Sequence, residues 1–229
     1  MKKKISKRFK KLFTMPKDSK PSKIEDVIGK VKNNCTTKFD ESIDISLLLN
    51  LKQKKEEFNL RTIVNLPNGN GKKIRVAILC EDNKLDEAKK SGAELCGSDT
   101  LINDIMAGKI KFDKLVATPS MMSKMGKLGK VLGPKGLMPN PKLGTVTNNI
   151  QSAVKALKSG QIEIKSDKDG NVGASIGKKS FSDNKIKENF DSLMQGILKE
   201  KPKGIKGDFI LSAFLTSSMG ISYKLKVEK

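Results

Sequence analysis

Along "FDESIDISLLLNL" apolar and polar positions alternate, with Glu41 and Leu48 as the exceptions. Phe39, Glu41, Ile43, Ile45, Leu47, Leu49 and Leu51 share one side, and mostly polar residues take the other. A period of two predicts a strand with one buried face and one wet face. Just upstream, "SKIEDVIGKVK" spaces Ile24, Val27, Ile28 and Val31 at helical intervals. Ser22 and Glu25 stand at capping-box spacing before that stripe, so a helix of about three turns is expected to start at Ser22. "LRTIVNL" reads as a second strand, stopped by the turn residues "PNGNG".

From Lys72 the pattern changes. "IRVAILC" is a continuous apolar run, the signature of a parallel strand buried on both faces. A helix "NKLDEAKKSG" closed by Gly92 follows, then a short strand "AELC", a helix "DTLINDIMAGK" closed by Gly108, and a strand "KLVAT". Thr118 and Pro119 read as the cap and first residue of another helix. After a glycine- and proline-rich run, "NNIQSAVKALKSG" predicts one more helix.

Past Gly160 the antiparallel pattern returns. "QIEIK" and "NVGASIG" flank the turn "SDKDG", which predicts a hairpin. "SDNKIKENFDSLMQGILKE" aligns Ile186, Phe190, Leu193, Met194 and Ile197 on one helical face, and "GDFILSAFLTSS" and "ISYKLKV" read as the last strands. Each flank alone is small for a stable core. The economical fold class is therefore α/β with two domains. One is a discontinuous α+β domain with an antiparallel sheet, built from both termini (residues 1–69 and 159–229). The other is an inserted doubly wound (Rossmann-like) α/β domain over residues 70–158.

Charge adds the first functional constraint. The 229 residues carry a formal net charge of +21, nearly all of it from lysine, which favours polyanionic partners. Lysine is a mobile point charge, so phosphate contacts are expected more than bidentate base readout. Residues 70–157 hold 15 basic and eight acidic residues, leaving +14 on the flanks. Much of that surplus sits in the basic N-terminal start, where Ile5, Phe9, Leu12 and Phe13 could share one helical face. The run "SKMGKLGKVLGPKGLMPNPKLGTV" is basic throughout, with Lys124, Lys127, Lys130 and Lys135 unopposed by any acid.

The same composition excludes several chemistries. Without histidine, and with Cys35, Cys80 and Cys96 far apart, a zinc or other metal site is not expected. No phosphate-binding loop follows the first parallel strand, so neither a nucleotide nor any other cofactor is called for. No nucleophile stands in a recognised context, so the chain does not read as an enzyme. No apolar run is long enough to span a membrane. Free thiols suit a reducing, cytoplasmic location. Two other classes stay open on composition: a basic α/β enzyme acting on RNA, and a membrane-surface protein held by the basic arm. Nuclease or transferase activity would mark the first, and vesicle binding by the arm alone the second. "TKFDES", with Lys38 and Phe39, and "LTSSMG", with three hydroxyls, a thioether and a glycine, are the stretches suited to a folded RNA.

These stretches carry a resemblance. "GKLGKVLGPKGLMPNPKLGTV" resembles the signature of the L-one family of large-subunit ribosomal stalk proteins. "KFDESIDISLLL", "RTIVNLPNGNGKKIRVAI", "DKDG" with "IGK", and "TSSMG" are similar to its other segments in the same order. The likeness runs over roughly residues 22 to 223, with its lysine-rich arm matching weakly. It implies binding of large-subunit rRNA at the stalk, within the ribosome. It also implies help in releasing deacylated tRNA from the exit site, repression of the protein's own operon mRNA, and a monomer when free. On this resemblance the RNA-binding residues are Lys38, Phe39, Glu41 and Ser42, then Thr216, Ser217, Ser218, Met219 and Gly220, with Lys165 and Lys168. Gly220 is expected to let the RNA backbone approach, and Phe39 to support the patch by packing. Lys124, Lys127, Lys130 and Lys135 become a secondary basic loop. The chain departs from the family at Gly173, where histidine or a polar residue is common, at Asn68, where histidine is common, and at Ser218, where threonine is usual.

Overall fold

The computed structural model describes residues 6–14, 20–51, 60–202, 205 and 207–227, with the side chains of residues 9 and 13 outside that set. In chain order these form α1 (Lys7–Thr14), α2 (Ile24–Asn33), β1 (Ser42–Leu49), β2 (Arg61–Asn65), β3 (Val76–Leu79), α3 (Leu85–Lys90), β4 (Leu95–Gly97), α4 (Asp99–Met106) and β5 (Lys114–Ala117). There follow α5 (Met122–Met125), α6 (Gly129–Leu132), α7 (Ile150–Ser159), β6 (Gln161–Lys165), β7 (Asn171–Lys178), α8 (Asp183–Lys199), β8 (Ile210–Ser217) and β9 (Tyr223–Leu225). The contacts divide the chain into two compact units, Met1–Gly71 with Ile162–Lys229, and Lys72–Gln161. Among the described residues no helix is long and apolar enough to cross a membrane.

In the unit built from both ends, an antiparallel sheet has the strand order β7-β1-β8-β9. Ile43, Ile45, Leu47 and Leu49 of β1 are buried, as the alternation requires, and with Ala213 and Leu215 of β8 they face one core. Helices α2 and α8 supply Val27, Ile28 and Val31, and Ile186, Leu193 and Ile197, to the same core. Each such side chain contributes roughly 1.5 to 3 kcal/mol on burial. Helix α8 also presses on β2, which pairs with β6 in a separate two-stranded sheet. A Cβ at Gly196 would lie 2.4 Å from Cγ2 of Val64, so only glycine permits this approach.

Two local expectations give way here. The turn after β6 forms, held by Asp167, whose carboxylate accepts the amides of Asp169 and Asn171, but no regular hairpin follows it. Strand β6 joins β2, strand β7 joins β1, and a single bridge between Ser166 and Val172 links the arms. The core explains the split, because Val172 and Ile176 of β7 are buried beside β1. The N-terminus of α2 is also not a capping box. Lys23 occupies the cap without a side-chain bond, and the Ser22 backbone instead pairs with β9, through Ser22 N–H to the Lys224 carbonyl and Lys226 N–H to the Ser22 carbonyl. Glu25 is paired with Lys187 of α8. In the N-terminal arm Leu12 is buried, while Ile5 and the side chains of Phe9 and Phe13 lie outside the described residues.

In the middle unit, β4-β3-β5 is a parallel sheet covered on both faces. Val76 and Ile78 of β3 pack with Ala88 of α3 and Val154 of α7, whereas Ala77 and Leu79 pack with Ile105 of α4, Met125 and Leu132. Gly92, Gly108 and Gly160 each take a positive φ beyond a helix end, as chain reversal there requires. The basic run is less loop-like than its composition predicts. Residues 119–132 wind through short helical turns that bury Met125, Leu128 and Leu132. Thr118 precedes Pro119 as expected, yet its buried hydroxyl makes no capping bond and has no partner.

One buried polar residue pins three segments of the first unit. Asn189 of α8 has no exposed surface; its Nδ2 donates to the carbonyls of Gly69 (2.8 Å) and Ile176 (2.7 Å), and its Oδ1 accepts the Asn68 N–H (3.0 Å). Asn189→Ala strands all three groups and is expected to lower the unfolding free energy by about 3 kcal/mol, read from urea denaturation. A change below about 0.5 kcal/mol would place Asn189 among ordinary surface residues.

Candidate nucleic-acid interface

The register of the antiparallel sheet brings three chain segments to one end. Ser42 opposes Lys178, and Ile43 opposes Ser217, so the loop before β1, the turn after β7 and the turn after β8 emerge together. Their backbones are tied directly. Ser218 N–H donates to the Ser42 carbonyl (3.0 Å), Ser42 N–H donates to Ser218 Oγ (3.1 Å), and Lys179 N–H donates to the Glu41 carbonyl (2.8 Å). Asp40 accepts both the amide and the hydroxyl of Ser180.

Glu41 is the hub. It continues the inward positions of β1 by one step and has no exposed surface. Oε1 accepts the N–H (3.1 Å) and hydroxyl (2.8 Å) of Thr37, and Oε2 accepts the Met219 N–H (3.2 Å). Burial pushes the carboxyl upward, but the nearby Ser217 hydroxyl and the hydrogen bonds from Thr37 and Met219 outweigh it, and the net shift is below the ordinary value of 4.5. One carboxylate thus fixes both loops. Burial raises the neighbouring Cys35 thiol, which keeps it protonated, and its Sγ donates to the Val31 carbonyl.

Ser217 is buried beside Glu41, and its hydroxyl has no hydrogen bond of good geometry. Gly220 stands against it: a Cβ there would lie 2.3 Å from Ser217 Oγ. This changes the expected role of Gly220. Its lack of a side chain accommodates Ser217 first, so a larger residue disturbs the turn as well as anything docked on it.

On this rigid base the outward residues are apolar and basic. Phe39 is 56% exposed and Met219 48%, and Lys38 and Ser218 are exposed beside them. Holding two large apolar side chains in water on fixed backbone is unfavourable unless something covers them. Arg8 of α1 reaches the same place, donating to the Met219 carbonyl (3.2 Å) and Thr36 Oγ1 (3.3 Å), and Lys179 Nζ donates to the Cys35 carbonyl. Exposed apolar side chains with cations beside them suit the sugar and base faces of a nucleic acid between its phosphates. Among the described residues no acidic or thiol cluster could hold a metal ion.

The structure sorts the expected site residues. It brings together Lys38, Phe39, Glu41, Ser42, Thr216, Ser217, Ser218, Met219 and Gly220, but Glu41 and Ser217 face inward and act on the loops, not on solvent. Phe39 faces water, where packing support was expected of it. Lys168 belongs to the turn before Asn171, at the opposite end of β7, whose Asn171 is about 23 Å along the strand from Lys178 at 3.3 Å per residue. Lys165 lies on β6 beyond the same turn. Lys124, Lys127, Lys130 and Lys135 are exposed in the middle unit, and Lys124 is paired with Asp99. Arg8, Thr37 and the Asp40–Ser180 pair escaped the sequence reading. Arg8 was findable as one of only three arginines in a lysine-rich chain.

Comparison with known proteins adds to this geometry. The model of the ribosomal protein L1p/L10e family matches residues 31–221, a span that includes both loops. The chain is 57% identical over 225 residues to the large ribosomal subunit protein uL1 of Pelagibacter ubique (strain HTCC1062), covering 98% of each chain. It is 44% identical, with the same coverage, to the large ribosomal subunit protein uL1c of Phaeodactylum tricornutum (strain CCAP 1055/1).

The depressed pKa of Glu41 has a testable sign. Its stabilisation is full well above pH 4.5 and is lost as pH falls through the lower folded-state value. Glu41→Gln, which cannot accept all three bonds with charge, is expected to cost about 2 kcal/mol at neutral pH. It should also flatten the acid slope of melting temperature below pH 4.5. Parallel slopes in the two proteins would assign the acid sensitivity to other groups.

Proposed function

Because the chain belongs to the ribosomal protein L1p/L10e family, whose members are structural components of the large ribosomal subunit and not enzymes, we propose that the joined Thr37–Ser42 and Thr216–Gly220 segments form its contact with stalk rRNA. The observation that carries this reading is the exposure of Phe39 and Met219 on loops locked by a single buried carboxylate. A preorganised surface loses little entropy on docking. Lys38 and Arg8 neutralise phosphates around it, and the hydroxyl oxygens of Thr216 and Ser218, whose protons go to the Ser217 and Ser42 carbonyls, accept from 2′-OH groups.

The finer roles rest on the same patch. An RNA site that reads shape accepts any RNA that reproduces the shape, which supports repression of the protein's own operon mRNA by mimicry of the stalk. The exposed lysines of residues 124–135 suit the backbone of exit-site tRNA during its release. A net charge of +21 opposes self-association, in keeping with a free monomer that resides on ribosomes in the cytoplasm. The unit built from both chain ends then serves as a discontinuous rRNA-binding domain, with the middle unit inserted in it.

The test is a set of dissociation constants for a stalk rRNA fragment and an unrelated hairpin over a salt series. Wild type should prefer the stalk fragment, with a log–log salt slope that adds roughly 0.7 to 0.9 per phosphate neutralised. Met219→Ala and Phe39→Ala should each weaken stalk binding about tenfold with melting temperature held, because base and sugar stacking contributes about 1 to 3 kcal/mol. Lys127→Ala should change it less than about twofold, as for a single exposed cation. If Lys127→Ala is the damaging substitution, the primary rRNA site lies in the middle unit.

A further inference from the structure

In the unit built from both ends, five large apolar side chains are exposed among the described residues. Phe39 and Met219 belong to the patch already discussed, and Phe214 lies mid-strand on the wet face of β8, opposite Ser46. Leu198 and Leu211, 48% and 53% exposed, are outside that patch. They line a groove running from the last turn of α8 to β8 and β9, floored also by Met194 and Val227. A second hollow, beside Ile24 and Phe190, shares Met194, Leu198, Lys226 and Val227, so the two cavities, about 360 and 440 Å³, form one furrow.

Its rim is basic. Lys23, Lys201, Lys224 and Lys226 stand around it against Asp191 and Asp208, while Lys187 and Glu25 neutralise each other. An aliphatic floor with a cationic edge selects its occupant by elimination. RNA would satisfy the edge but not the floor, where of the lining rings Phe209 is buried and Phe190 half-buried, and phosphate would be desolvated without partners. A second copy of this chain would bring the same basic rim to itself at a net charge of +21. A protein segment with acidic residues flanking aliphatic ones satisfies both.

We propose that this groove docks an acidic amphipathic segment of a partner protein, its leucine-type side chains over Met194, Leu198, Leu211 and Val227 and its carboxylates on the rim lysines. The groove is lined by residues other than those of the RNA patch, so the two occupants bind together, and this inference stands whether or not the RNA reading holds.

The probe is a labelled helical peptide of alternating leucine and glutamate pairs, with a control carrying serine for leucine, titrated onto the full chain by fluorescence anisotropy. The leucine peptide is expected to bind at least about tenfold more tightly than the control. In the Leu198→Ser/Leu211→Ser double variant that advantage should vanish, with melting temperature and stalk rRNA affinity unchanged. Lys201→Glu/Lys226→Glu should weaken the leucine peptide while leaving the fold intact. Equal binding of the two peptides, or a leucine peptide indifferent to either double variant, would reduce the effect to attraction by a polycation. Displacement of the peptide by stalk rRNA, or loss of rRNA affinity in the leucine variant, would give the groove to nucleic acid.

Discussion

Strand β1 comes from the N-terminal part of the chain, yet it is hydrogen-bonded on both sides by strands from the C-terminal part, β7 and β8. Everything else in that unit depends on this central insertion. A one-residue slip of β1 would turn Ile43, Ile45, Leu47 and Leu49 to water and bring Asp44 and Ser46 into the core. The register is therefore fixed by burial. It in turn fixes which loops meet at the end of the sheet.

What meets there is organised by a buried charge in a strongly basic protein. A carboxylate taken out of water is costly unless its hydrogen bonds are made, and Glu41 makes them with the backbone and hydroxyl of one loop and the backbone of another. The bonds that stabilise the ion are the same bonds that hold Thr37, two residues before Phe39, and the Met219 backbone. Stability and presentation are thus one arrangement, and the exposed apolar side chains are consequences of a turn geometry that leaves them nowhere inward to go. The groove at the far side of the same unit has the opposite character: an aliphatic floor without a fixed polar hub, edged by lysines.

Charge density alone points elsewhere. The run at residues 123–146 has the highest visible concentration of glycine, proline and lysine, and composition makes it the natural RNA loop. In the structure its first part is helical and buries Met125, Leu128 and Leu132, so its apolar residues serve the middle core while its lysines stay outside. Lysine content marks the class of partner; it does not mark the place of contact, because an exposed cation can be accommodated on almost any solvated face.

Periodicity is a local property, and what it controls was legible: the strand ending in buried Leu49, the helix bearing Ile186, Leu193 and Ile197, the fully buried β3, and the glycines that close the helices. The segments "TKFDES" and "TSSMG" were also marked, by residue type and by resemblance to the L1p/L10e family. Decisions between competing partners were not legible. Whether Ser22 caps a helix or pairs with β9, whether β6 pairs with β7 or β2, and whether Gly220 makes room for RNA or for Ser217 each compare a local bond with a distant one. Nothing in a sequence window holds the distant term. Alternation alone put Glu41 on the inward side of β1, but only the folded chain supplied the Thr37 and Met219 donors that let a charge remain there.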